Sequence, residues 1–179
     1  LGDHWLGEKE LFYDTVQQVP MIIRDPRTSA DASRGQSVTE MVEAVDILPT
    51  ILDALGIPIP SHRIEGRSLQ PILFQEHDTW RNTVYSELDY SYRRSRLLLD
   101  RTPLNSRAWA VRTERWYYVY WMDLPEQLFD LENDPHQFQD LGRSASHQAI
   151  RDELRQELLI WFSQLKRRTT VTTAAIEKG

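Results

Sequence analysis

The sequence of 179 residues has no cysteine. Disulfides, thiolate metal sites and a cysteine nucleophile are therefore excluded from this chain, although the compartment does not follow from that absence. Glycine is scarce, with seven residues scattered along the chain and no glycine-rich loop that could cradle a phosphate. Apolar runs are too short to cross a bilayer, so a membrane is not an expected partner. Positive charge is in deficit: 21 Lys and Arg stand against 27 Asp and Glu, a net charge of −6. Nucleic acid, whose phosphates demand a basic surface, is therefore not expected either. Two local basic clusters, Arg93-Arg94-Arg96 and Lys166-Arg167-Arg168, read as solvated faces or intramolecular partners. The five histidines (His4, His62, His77, His136 and His147) show no i,i+4 pair and no H-E-x-x-H arrangement. Asp130, Glu132 and Asp134 alternate as in a calcium loop, but glycine and the closing glutamate are not where such a loop needs them. A structural turn is expected there.

The rest is ordinary globular material, 40% hydrophobic and 27% charged. "VPMIIR", Val19 to Arg24, reads as a short strand entered through Pro20 and closed by Asp25-Pro26. Arg27 to Ser37 has no hydrophobic period and should be a surface loop; in the residues just after it, strand and helix are both possible. A helix follows, with Asp46 as its N-cap, Pro49 in its first turn and Gly56 closing it in a left-handed conformation. Ile47, Leu48, Ile51, Leu52 and Leu55 fall on one face of it, which is expected to be core. After an irregular connection docked by Ile64 and Leu69, Thr83 to Leu88 is a candidate strand. Arg107 to Trp121 reads as two strands around a tight turn at Thr113-Glu114, and "EQLFDLENDP" as a further strand ending in an Asn133-Asp134-Pro135 turn. From Ser146 a last helix repeats Ile150, Leu154, Leu158, Trp161, Phe162 and Leu165 at three- and four-residue steps. The pattern is α/β first, then a small antiparallel sheet with a helix, with a boundary near residues 76–82.

Four blocks carry a resemblance. The opening "GDHWLGEKELFYDTVQQVPMIIRDP" joins Gly-Asp-His, a short turn, a lysine, an aromatic pair and Val-Pro-Met-Ile-Ile-Arg. "VDILPTILDALGIPIP" is followed by "EGRSLQPIL", and "RTERWYYVYW" by "EQLFDLENDPHQFQDLG". In this order, over most of the chain, the blocks resemble the C-terminal part of sulfatases and phosphonate monoester hydrolases of the alkaline phosphatase-like superfamily. "YSELDYSYRRSRLLL" and "RRTTVTTAAIE" are more similar to the phosphonate monoester hydrolase branch. The resemblance implies that residues 1–80 are the C-terminal part of an α/β hydrolase core of the alkaline phosphatase-like sandwich type. Residues 81–167 would be a small antiparallel sheet packed with a C-terminal helix, and 168–179 a tail.

It also implies roles. Lys9 falls at the position of the family's active-site lysine, whose ammonium holds an oxygen of the sulfate, phosphate or phosphonate group. Taken alone, Lys9 reads as a surface lysine on a turn, and both readings stand at this point. His4 is a candidate acid on the leaving-group side. Trp5 and Glu8 occupy places where the family often has glycine. The family's metal pair would lie just before Leu1, so no metal ligand is expected in this chain. A divalent metal of calcium or manganese type and a formylglycine nucleophile are expected in the complete protein. The motif that yields formylglycine, Cys- or Ser-x-Pro-x-Arg, is absent here. The expected chain is thus the C-terminal portion of a hydrolase, inactive by itself. Its expected partners are a small-molecule ester substrate, the N-terminal part of the hydrolase and further copies of itself in a homo-oligomer. The alternative is a non-catalytic binding or self-associating module that uses exposed aromatic and apolar surface, its six tryptophans included.

Overall fold

Val, Trp and Tyr crowd residues 107–121, and such side chains suit a pleated surface covered on its faces. In the computed structural model, which describes residues 2–6, 11–166 and 172–176, they form two of four strands. The strands are β1 (Thr83–Asp89), β2 (Arg107–Thr113), β3 (Trp116–Trp121) and β4 (Gln127–Asp130). The helices are α1 (Asp14–Gln17), α2 (Ile47–Ala54), α3 (Gln70–Leu73), α4 (Arg94–Leu98), α5 (Gln148–Gln164) and α6 (Thr173–Ile176). None of the described helices is long and apolar enough to cross a membrane. The chain divides into two units, Leu1–Met21 with Thr83–Trp161, and Ile22–Asn82 with Phe162–Gly179.

The first unit is built on an antiparallel meander in the order β1-β2-β3-β4. Thr113 fixes its tight turn: its Oγ1 accepts the Trp116 N–H at 2.9 Å. Because side chains alternate, the register divides the strands into two faces. One face carries Ala108, Ala110, Tyr117, Val119 and Phe129, which pack with Phe12 into a buried cluster edged by Tyr13, Leu88 and Trp121. The other carries the in-register row Tyr85, Val111, Tyr118 and Leu128. There Tyr85 stacks on Trp161 of α5 with ring centroids 4.8 Å apart, and its hydroxyl donates to Glu157 at 2.8 Å. With both faces covered, the strands show little hydrophobic alternation, as in "WYYVYW".

The last helix forms where its apolar period predicts, after a 3-10 turn at Ala145–His147. Its buried residues are Leu154, Leu158 and, unforeseen, Arg151. A buried guanidinium requires full pairing. Arg151 has it, donating to Glu126 Oε1 at 2.9 Å, to the Leu141 and Ser144 carbonyls at 3.1 and 2.6 Å, and to Gln148 Oε1 at 2.6 Å. The Asp130–Asp134 segment is a structural turn, as expected. Asp130 accepts from Arg115, Asn133 and the Glu132 N–H, and Asp134 from the Gln139 N–H.

Two segments depart from expectation, one at the junction of the units and one in the second unit. Val19–Arg24 is extended but joins no strand ladder, and Ile22 is 93% exposed. A strand needs a partner edge, and the pattern of one segment does not supply it. Helix α2 lies where predicted, closed by Gly56 at φ 67° with bonds from its N–H to Asp53 O and from the Ile57 N–H to Leu52 O, both 2.9 Å. Its apolar stripe is not core, however. Ile47, Leu48, Ile51 and Leu55 are exposed, while Asp46, Pro49 and Thr50 are buried.

The buried side of α2 is a polar joint. Asp46, fully buried, is not the N-cap acceptor expected of it. Its Oδ2 accepts the Glu43 N–H at 2.8 Å, and its Oδ1 accepts the Arg67 N–H at 2.8 Å and Arg81 Nη2 at 2.7 Å. Thr50 Oγ1 donates to the Asp46 carbonyl at 2.6 Å and accepts the Leu69 N–H at 2.9 Å. Gly66 makes this approach possible, since a Cβ there would sit 2.0 Å from the Val45 carbonyl oxygen. The "VDILPT" and "GRSL" blocks of the sequence are therefore the two sides of one joint.

Candidate functional site

The candidate residues lie in a loop at the start of the chain. Residues 2–6 close on themselves: the Gly2 N–H donates to the Leu6 carbonyl at 3.0 Å and the Trp5 N–H to the Gly2 carbonyl at 3.1 Å. This closure takes Gly2, His4 and Trp5 to φ 98°, 52° and 57°. Glycine adopts such angles freely, whereas each L-residue there costs roughly 1–2 kcal/mol. Trp5, 91% exposed, thus holds a glycine-like conformation at a position where the resembled family often has glycine. Strain of this kind concentrates at sites where geometry matters more than stability.

Downstream, the loop is anchored by the sheet of its own unit. Phe12 is sunk in the core cluster, and Asp14, at the start of α1, meets Arg112 of β2 through two parallel bonds, Nε to Oδ1 at 3.0 Å and Nη2 to Oδ2 at 2.9 Å. Such bidentate pairing fixes orientation as well as distance. The Asp14 N–H also donates to Gln137 Oε1 at 2.7 Å.

His4 is held by its ring. It lies flat on Tyr13, centroids 3.6 Å apart and planes within 7°, with Phe138 tilted at 5.2 Å. Neither of its ring nitrogens makes a hydrogen bond among the described residues, so both are available to a ligand. Burial first, and the Asp140 carboxylate second, raise the Tyr13 pKa, so its phenol stays neutral beneath the imidazole. Asp3 is exposed and takes no part in this stack. Lys9 lies outside the described residues. The structure thus brings His4 together with Tyr13 and Phe138. The aromatic pair Phe12-Tyr13 was visible in the sequence as a motif without a role. Arg112 and Gln137 gave no signal, being separated from Asp14 by 98 and 123 positions.

Among the described residues, no group of three or more His, Cys, Asp or Glu side chains is disposed to hold a metal ion. These residues do not fit a metal site of their own.

Comparison with known proteins gives a consistent picture. The pattern of the family described as "N-sulphoglucosamine sulphohydrolase, C-terminal" matches residues 2–164. The multifunctional alkaline phosphatase superfamily protein PehA of Trinickia caryophylli is 30% identical over 165 residues, covering 90% of this chain and 32% of that protein. An arylsulfatase of Clostridium perfringens is 29% identical over 159 residues, covering 89% of this chain and 30% of that protein. Among solved structures, the phosphonate monoester hydrolase of Agrobacterium radiobacter aligns with a TM-score of 0.67 at 28% identity, covering 74% of this chain and 27% of that one. The chain thus spans about a third of the length of the relatives it matches.

Proposed function

Since the chain belongs to the N-sulphoglucosamine sulphohydrolase C-terminal family, we propose that it is the C-terminal portion of a hydrolase of sulfate, phosphate or phosphonate esters. The observation that carries this reading is the match over residues 2–164, supported by relatives that are sulfatases and phosphonate monoester hydrolases. In the whole protein, residues 1–80 complete the hydrolase core, 81–167 form the sheet-and-helix appendage and 168–179 are a tail. A start of β1 at Thr83 supports a boundary near residue 80, whereas the grouping of Leu1–Met21 with the sheet does not follow that division.

Within this reading, the Lys9 ammonium binds the anionic group of the ester and offsets charge that grows on its oxygens in the transition state. His4 delivers a proton to the departing oxygen. Its ring is oriented by Tyr13, and its nitrogens are uncommitted among the described residues. A divalent metal of calcium or manganese type, with formylglycine, would supply Lewis acidity and the nucleophile. Both would have to come from residues outside this chain, which has no cysteine and, among the described residues, no metal cluster. The chain's own part is therefore anion binding and proton transfer.

The exposed stripe of α2 supports a partner within the complete hydrolase, namely its N-terminal part, and a homo-oligomeric assembly. The same stripe favours the second reading, a module that self-associates without catalysis.

One assay separates the two. In the whole protein that carries this chain, turnover of 4-nitrophenyl sulfate, 4-nitrophenyl phosphate and a phenylphosphonate monoester is measured beside Lys9→Ala and His4→Ala. Lys9→Ala should slow turnover about tenfold or more, each tenfold being about 1.4 kcal/mol of transition-state stabilisation. His4→Ala should harm alkyl esters more than nitrophenyl esters, whose leaving group needs no proton. Unchanged turnover of the nitrophenyl esters in Lys9→Ala would remove Lys9 from the site, and unchanged turnover of an alkyl sulfate or alkyl phosphate in His4→Ala would remove His4. A whole protein inert to all three esters would leave self-association as the better reading.

A further inference from the structure

The first unit contains a cavity of about 470 Å³, lined from Leu11, the residues around α4, the β3–β4 connection and Asp140–Arg143. That volume lies in the range of small-ligand sites. Its apolar wall comes from Leu88, Leu99, Trp121 and Leu124. The Trp121 indole is fixed beforehand, edge-on to Phe12 and Tyr90 at 5.8 and 5.9 Å, with its Nε1–H bonded to Gln127 Oε1 at 2.8 Å. A wall held in this way loses little freedom when a ligand settles on it.

The polar groups around the cavity are not equally available. Glu126 is engaged by Arg151, Arg155 and the Tyr118 hydroxyl. Asp140 Oδ1 accepts the Leu128 and Gly142 N–H groups at 3.1 and 2.8 Å. Arg93 lies over the Tyr92 ring at 5.1 Å. Arg143 differs: it lines the cavity, is exposed, and makes no hydrogen bond or ion pair among the described residues. Both carboxylates already accept hydrogen bonds, although Asp140 meets only backbone N–H groups and keeps its charge; the cationic donor left free at this apolar cavity among the described residues is the Arg143 guanidinium.

We propose that the cavity binds a small organic anion with an aryl or compact alkyl body, the body against Leu88, Leu99, Trp121 and Leu124 and the anionic group at Arg143. The site needs only these side chains and stands or falls independently of ester hydrolysis, because its readout is binding rather than turnover.

Isothermal titration of the full chain with naphthalene-2-sulfonate tests it, with neutral 2-naphthol as the charge control and Trp fluorescence as a second signal. The expected result is saturable binding at one site, with the sulfonate preferred over the naphthol. Arg143→Gln should weaken the sulfonate about tenfold, as loss of one charge-assisted contact does, and leave the naphthol unchanged. Leu124→Trp fills the cavity and should abolish both. If that variant fails to fold, Leu99→Trp, half exposed at the cavity wall, blocks the same space without touching the core. Three results would overturn the proposal: no saturable binding, equal sulfonate affinity in Arg143→Gln, or binding that survives the tryptophan substitution. The last would place the probe on exposed apolar surface elsewhere.

Discussion

Tyr117, Tyr118 and Val119 of β3 are sealed from solvent on alternate faces of one sheet, whereas Ile47, Leu48 and Ile51 of α2 stand open to it. Both segments are rich in apolar residues, and both fold as their patterns predict. They differ in what the chain provides to cover them. In the first unit, Phe12 and Tyr13 cover one face and α5 the other. In the second, α2 turns Pro49 and Thr50 inward and is held by Asp46 and Thr50 through hydrogen bonds that satisfy the backbone N–H groups of Arg67 and Leu69. The apolar period of a helix states that one face will be covered, not that the same chain will cover it. A satisfied polar joint can hold such a helix in place when hydrophobic burial does not.

Four variants sharpen or break this contrast. The largest effect belongs to Asp46→Ala, which strips Arg81, itself nearly buried, of one partner and leaves the Arg67 N–H unmet. Loss of one side of a buried pair costs about 3–5 kcal/mol. Hydrogen exchange should show Ile22–Asn82 losing protection while the strands keep theirs; equal loss in both units would mean they do not unfold separately. Next is Leu128→Ala, which opens a void in the sheet where side chains are covered on both faces. Its expected cost is about 3 kcal/mol in a denaturant titration, and a loss below about 1 kcal/mol would show that α5 packs loosely on that face.

The third effect depends on pH. Hydrogen bonding from Arg115, against the opposing push of burial and with help from Asn133, holds the Asp130 carboxyl at about 2. Its unfolded value is about 3.9, so the folded pKa is depressed. The resulting stability is present above pH 4 and is lost as pH falls from about 4 to 2. Arg115 is half exposed, so the gain is modest. Asp130→Asn should flatten the fall in melting temperature across that window, and an unchanged slope would assign the acid sensitivity to other carboxylates. The smallest effect is predicted for Leu48→Gln with Ile51→Gln. Both sites are exposed, so stability should change by no more than about 0.5 kcal/mol per site, while self-association measured by sedimentation should fall. A clear loss of stability would mean that the stripe is covered in solution.

The contrast also marks how far the sequence could be read. The four strands, the turn at Asn133-Asp134-Pro135, the final helix and the Gly56 stop follow from local chemistry: β-branched and aromatic residues, Asx turns, an apolar period and a left-handed glycine. The fate of the α2 stripe and of Val19–Arg24 did not follow, because exposure depends on what lies opposite. Asp46 looked like a cap because Asp before an apolar period usually is one. Its actual partners, Arg67 and Arg81, are 21 and 35 positions away. At the candidate site, His4 was legible as a residue of interest only through the family resemblance. Its seat on Tyr13, and the anchoring of Asp14 by Arg112, depend on long-range contacts that no local motif encodes.

Those long-range contacts bear on the order of events during synthesis. Phe12 and Asp14 leave the ribosome well before the partners of Asp14: Arg112 and Gln137 are made 98 and 123 residues later. Contacts that close such long loops form late and slowly. The segment that carries the candidate site therefore waits, uncovered, until the sheet is complete. The segment is thus made well before its seat, and a stall in translation anywhere between Phe12 and Gln137 leaves Phe12 without the core cluster that buries it.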